Sequence, residues 1–205
     1  MNLALDHLPV NAFDLGIVLI LGFGMLRGRK NGMSVELLNM LMWLAILFAC
    51  AAIYQPAGLF LSQSSPISRL SCFLIAYTVA AVLVFGLFVF LKNWLGGKLL
   101  GSDFFGRTEY YLGMGSGVIR FACILVFFLA LLNAWYFSPT KVRAMEKFQN
   151  EVYGSNFFPG LQSIQSTVFE KSMSGPWIKE HLDFLLIKPT EPEEKKIQRK
   201  EYQLP

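Results

Sequence analysis

From Leu70 to Leu91 the chain runs 22 residues without a formal charge. As a helix such a run rises about 33 Å, enough to cross a bilayer core about 30 Å thick. No water is available there to satisfy backbone amides, so a single spanning segment has to be helical. Lys92 and Trp94 follow directly, a cation and an aromatic of the kind that sit at headgroup depth. Three further stretches are mostly apolar: Val10 to Leu26, with Asp14 inside it, Leu37 to Tyr54, and Leu112 to Phe137, broken by Arg120 and Asn133. The whole chain is 54% hydrophobic and 16% charged, against about 25% charged residues in soluble domains. The expected fold is an all-α membrane protein with four transmembrane helices in two hairpins.

The first two stretches meet at a glycine ladder, Gly24, Gly28 and Gly32, that surrounds Arg27, Arg29 and Lys30. Glycine at four-residue spacing lets helix backbones approach closely. The expectation is that Gly28 and Gly32 bring spans one and two together. Gly113 and Gly117 repeat the spacing in the fourth stretch. Span two is expected to end at Gln55-Pro56, because proline interrupts a helix, and a polar loop to Arg69 to follow.

Residues 1–140 thus form the four-span membrane domain. Beyond it, LQSIQSTVF and WIKEHLDFLLI carry apolar residues at helical spacing but are too short and too charged to span. They define residues 141–187 as extramembrane amphipathic helices lying on a surface. The mixed-sign, proline-containing residues 188–205 are expected to be disordered.

Charge sets the orientation. The turn after span one carries Arg27, Arg29 and Lys30, and the turn after span three carries Lys92, Lys98 and Arg107. The opposite side has Arg69, Lys141, Arg143 and Lys147. Positive residues favour the cytoplasm, so both termini are expected outside. No Lys or Arg precedes the first apolar run, unlike the start of a secretory signal, so that segment is expected to stay attached.

Little in the chain suggests chemistry. The basic residues form no stripe, which argues against nucleic acid. Cys50, Cys72 and Cys123 lack metal-ligand or disulfide spacing and are read as packing residues. Two histidines, His7 and His181, build no hydrolase constellation. No enzyme, cofactor or metal is expected. The notable side chains are charges within apolar stretches. Asp14, one turn inside span one, reads as a hydrated interfacial anchor. Arg120 lies about 12 Å into span four and needs either a path to water or a carboxylate. Glu36 opens span two on the same side and is the expected partner. Glu109 is about 16 Å away along Arg120's own helix, beyond direct reach.

Asp14, the spacing Gly28-x-x-x-Gly32 and Glu36-Leu37 resemble the first hairpin of the colicin V production protein family. EYYLGMGSGVIRF resembles that family's second signature, with Glu109, Leu112-Gly113, Gly117 and Arg120 in the matching places. Asn31 and Tyr110 stand where the family carries arginine, and Phe121 replaces its last glycine. The resemblance covers about residues 10 to 140. It implies a multi-pass protein of the bacterial cytoplasmic (inner) membrane, connected with peptide-toxin production or export and with envelope stress. Some relatives carry a protease domain after the fourth span; the tail here has no such motif.

The expected function is non-enzymatic. The protein would support toxin production or envelope homeostasis by binding membrane or envelope partners within the lipid bilayer, with homo-oligomers allowed. A small oligomeric channel or transporter is the alternative reading, and a membrane enzyme a distant third.

Overall fold

The computed structural model describes residues 11–99, 108–138 and 160–190, together with Lys147 and Glu151. The expectations for residues 1–10, for the linker at 100–107 and for a disordered tail from residue 191 onward lie outside the described residues. The rest is helical: α1 (Ala12–Ser64), α2 (Arg69–Leu99), α3 (Glu109–Asn133), α4 (Leu161–Phe169) and α5 (Ser174–His181). A 3-10 turn follows at Asp183–Leu185. Among the described residues there is no β-strand, only one bridge between Trp135 and Thr190. Three helices, α1, α2 and α3, are long and apolar enough to cross a membrane.

α1 begins at an N-terminal capping box. The Asn11 side chain accepts from the Ala12 amide at 2.7 Å, and the Asn11 amide donates to Asp14 Oδ2 at 3.0 Å. The helix breaks at Gly32, whose φ of 73° and ψ of 168° leave the helical region. Only glycine takes that conformation without strain. The break separates arm one (12–31) from arm two (33–64). Contacts with α3 show that the chain reverses there. Arm one descends α3 from Gly24 beside Gly117 to Gly32 beside Glu109. Arm two climbs it, from Glu36 beside Arg120 to Trp43 beside Phe127.

The ladder's partner differs from the expectation. Gly24 and Gly28 pack against Gly113 and Gly117 of α3, where neither helix carries a Cβ. Two glycine rows four residues apart interlock more closely than one row facing the leucines and methionines of arm two. The second expected hairpin is also corrected. α2 and α3 each pack on α1, and no comparable backbone contact joins them to each other. Bulky rings such as Tyr77 and Phe127, 5.2 Å apart, fill the space between them. α2 instead forms an antiparallel pair with arm two across a tight loop at 65–68.

Arm two also runs past its expected end. The helix passes through Pro56 to Ser64, so most of the predicted polar loop is helical. Proline costs a helix interior about 3 kcal/mol. Phe73 packs across the proline, edge-on to Tyr54 before it at 5.9 Å and against Gly58 beyond it. That continued burial offsets the lost hydrogen bond.

Residues 160–190 carry two short helices, as expected within 141–187, and these are packed on the bundle. They close one end of the bundle. Val168, Phe169, Ile178, Leu186 and Ile187 share a core with Ile46, Tyr54, Tyr77 and Ala130. The start of the expected disordered tail is bonded here as well. The Thr190 amide donates to Ala134 O at 3.0 Å, and the Lys188 amide donates to the Tyr54 hydroxyl at 3.4 Å. The other end of the bundle carries Arg27, Arg29 and Lys30, all exposed. Between the two ends the surface is apolar, with Leu19, Leu83 and Phe90 all more than 60% exposed. A patch of this extent is a liability in water and a normal surface in lipid.

Candidate functional site

At the basic end the glycine seam and the deep charges form one cluster. A Cβ at Gly28 would fall on the Gly113 carbonyl oxygen, and one at Gly117 on the Gly24 carbonyl oxygen. A Cβ at Gly24 would stand 2.9 Å from the Gly117 carbonyl oxygen. Arm one and α3 therefore touch backbone to backbone along three turns.

That contact brings arm two's first turn against α3. Glu36 is 1% exposed, and both its oxygens accept from Arg120 Nη1, at 3.1 and 2.9 Å. The Arg120 side chain remains 19% exposed. The expected Glu36–Arg120 pair is thus present. Asn31 adds a third bond, its Nδ2 donating to Glu36 Oε1 at 2.6 Å across the Gly32 break. A buried carboxylate needs this degree of satisfaction, since each unpaired ion costs several kcal/mol to desolvate. Arg120 also lies 5.6 Å from the centre of the Phe121 ring.

Glu109 is in the same cluster, although not as a partner of Arg120. Its carboxylate lies against Gly32, 2.8 Å from where a Cβ would stand. The positive φ is what calls for glycine at position 32, since the Glu109 side chain could move aside. Glu36, Arg120, Gly28, Gly32, Gly113, Gly117 and Glu109 therefore converge.

Asp14 is elsewhere, at the capped end. The Met173 amide donates to Asp14 Oδ2 at 3.1 Å and the Ser174 amide to Oδ1 at 3.1 Å, and the Ser174 hydroxyl also donates to Oδ1. Asn11 Nδ2 donates to Thr167 O at 3.1 Å beside it. The expected hydrated anchor is a protein-bonded one that ties the start of α1 to the cap. Gln165, bonded to Leu132 O and Trp135 O, and Asn133, bonded to Ile187 O, secure the cap to the end of α3.

Sequence reasoning missed Asn31, the Asp14–Ser174 link and the Gln165 and Asn133 ties. Asn31 carried a signal: a polar residue beside a glycine break, five positions before a buried acid. The long-range ties carried none. Among the described residues no group of three His, Cys, Asp or Glu side chains is placed to hold a metal ion. The three cysteines are free and buried. The cluster links helices and holds one neutralised charge pair within an apolar surround.

Long apolar helices, an apolar girdle and a buried ion pair between spans define an all-helical membrane protein. The family model of the colicin V production protein matches residues 13–168, and the chain belongs to that family. The match runs from the first turn of α1 into α4, and so includes the glycine seam and the charge cluster. No curated protein and no solved structure matches the chain.

Proposed function

We propose that this is a non-enzymatic protein of the bacterial cytoplasmic membrane that crosses the bilayer four times and works by holding a protein partner. The two arms of α1 supply two of the crossings, supported by the reversal at Gly32. Family membership supports a role in peptide-toxin production or export, or in envelope homeostasis. The basic turns favour a cytoplasmic position for the Arg27–Lys30 end and an outside position for the capped end.

The cap carries the partner reading. It buries Ile178, Leu186 and Ile187 against the bundle yet leaves Met173 71%, Trp177 57% and Phe184 62% exposed. Several large apolar side chains left exposed on one folded element support a docking role for it. The channel reading has less support, because the two deep charges, Glu36 and Arg120, are paired with each other.

A photoreactive residue at position 184 should give a discrete protein adduct in intact cells, whereas one at Leu83 on the apolar girdle should capture lipid. Lipid alone from both positions would overturn the partner reading; an adduct to a second copy would make the partner the protein itself. Topology has its own test. In intact cells Ser64→Cys should react with a membrane-impermeant maleimide, and Arg29→Cys should react only after permeabilisation. The reverse pattern would invert the orientation, and equal labelling of both would remove the crossing between them.

A further inference from the structure

A cleft of about 230 Å³ opens between arm two, α2 and α3 near the basic end. Asn39 and Met42 of arm two, Phe85, Phe88 and Lys92 of α2, and Arg120 of α3 are among its lining residues. The ends of this lining differ in kind. Lys92 and Arg120 are cations, and the residues above them along α2 are aromatic or aliphatic. We propose that the cleft binds an anionic phospholipid, with its phosphate between Lys92 and Arg120 and its acyl chains along Phe85 and Phe88.

Charge complementarity selects this occupant. Lys92 is exposed and has no ion pair among the described residues. Arg120 spends only Nη1 on Glu36, while its Nε is buried and has no hydrogen-bond partner among the described residues. Glu36 is the acid facing this region, and it is already engaged by Arg120 and Asn31. Asn39 directs its amide donor to Val35 O and is not a competing cation. Among the described residues a phosphate would therefore meet the Lys92 ammonium, which has no ion pair there, and the unused part of a guanidinium, and no carboxylate lines the cleft. A zwitterionic headgroup would bring its own cation into the same space.

The apolar side favours a lipid over a free anion. Phe85 is 48% and Val89 40% exposed, and both line the cleft and continue into the apolar girdle. Trp94, two residues beyond Lys92, is exposed where the helix reaches headgroup depth. Basic pockets between spanning helices on the cytoplasmic side are suited to anionic headgroups. The proposal uses the membrane reading to set the depth of the cleft. Its test in detergent does not depend on topology, so the two can fail separately.

The purified chain in a neutral detergent would be mixed with phosphatidylglycerol or phosphatidylcholine and examined by native mass spectrometry and thermal melting. Phosphatidylglycerol should be retained at least fivefold more than phosphatidylcholine and should raise the melting temperature. Lys92→Gln should remove that preference, its melting shift being measured against its own lipid-free value. Phe88→Ala should weaken lipid retention. Arg29→Gln, on the same end but outside the cleft, should keep the preference. Equal retention of both lipids, or equal losses in Lys92→Gln and Arg29→Gln, would overturn the site. Competition by glycerol phosphate as effective as that by the lipid would overturn the lipid assignment and leave a free-anion site.

Discussion

Gly28→Leu is expected to be the most damaging single substitution in the membrane part. Its first side-chain carbon would fall on the Gly113 carbonyl oxygen, a backbone atom that cannot rotate away. Relief requires arm one to move off α3, which opens the seam at Gly24 and Gly117 as well. Overpacking a filled interior typically costs about 1–3 kcal/mol, and a backbone-to-backbone contact belongs at or above the upper end of that range. A much lower melting temperature in detergent and a fall in membrane abundance should follow. Gly115→Ala is the control on the facing helix. Nothing lies within 4 Å of a Cβ at Gly115, between the two seam glycines. Alanine there should be neutral or should stabilise by about 0.5–1 kcal/mol, through its better helix propensity. Similar melting curves for Gly28→Leu and Gly115→Ala would remove the seam from the account of stability.

The second large effect is expected at the Glu36–Arg120 pair. Arg120→Ala leaves a carboxylate that is 1% exposed facing only the Asn31 amide. Breaking a buried pair by removing one partner costs about 3–5 kcal/mol, because the remaining charge is uncompensated. Glu36→Ala should cost less, since Arg120 is 19% exposed and its long side chain can turn toward water. Removing both should cost clearly less than the sum of the single changes. Exchanging the charges, with Arg at 36 and Glu at 120, should recover part of the loss. Recovery should be incomplete because the Asn31 amide, which donates to Glu36, would then face a guanidinium that has no acceptor. Strictly additive losses with no recovery on exchange would mean that the pair contributes nothing as a unit.

The pair was legible because depth in a membrane is readable from sequence. Once spans and orientation are assigned, a deep arginine has few carboxylates at its own level, and Glu36 was the one in reach. The seam was half legible. Two glycine rows at the same spacing are visible in the chain, but periodicity does not say which rows meet. Gly28 was assigned to arm two because hairpin neighbours are the simplest pairing, whereas its partner is Gly113 of α3. Pro56 misled for a related reason. A proline is read as a stop only when nothing beyond it holds the helix, and Phe73 packs on Gly58 beyond it.

Composition and charge spacing by themselves determined the helical membrane class, the approximate places of the long apolar helices and a reversal of the chain near the basic residues Arg27 to Lys30; the structure put the break at Gly32. The part read from sequence follows from local terms: a bilayer core demands long uncharged helices, and basic turns favour the cytoplasm. The tertiary structure alone decided that α1 is the central element, that arm one docks on α3, and that the tail folds back as a cap. Asp14 shows why. In sequence it is a lone acid near an interface, and hydration is the simplest fate for it. In the fold it accepts from the Met173 and Ser174 amides and the Ser174 hydroxyl, roughly 160 residues away in the chain. Amides brought together by packing leave no trace in periodicity, because their positions depend on every contact between them.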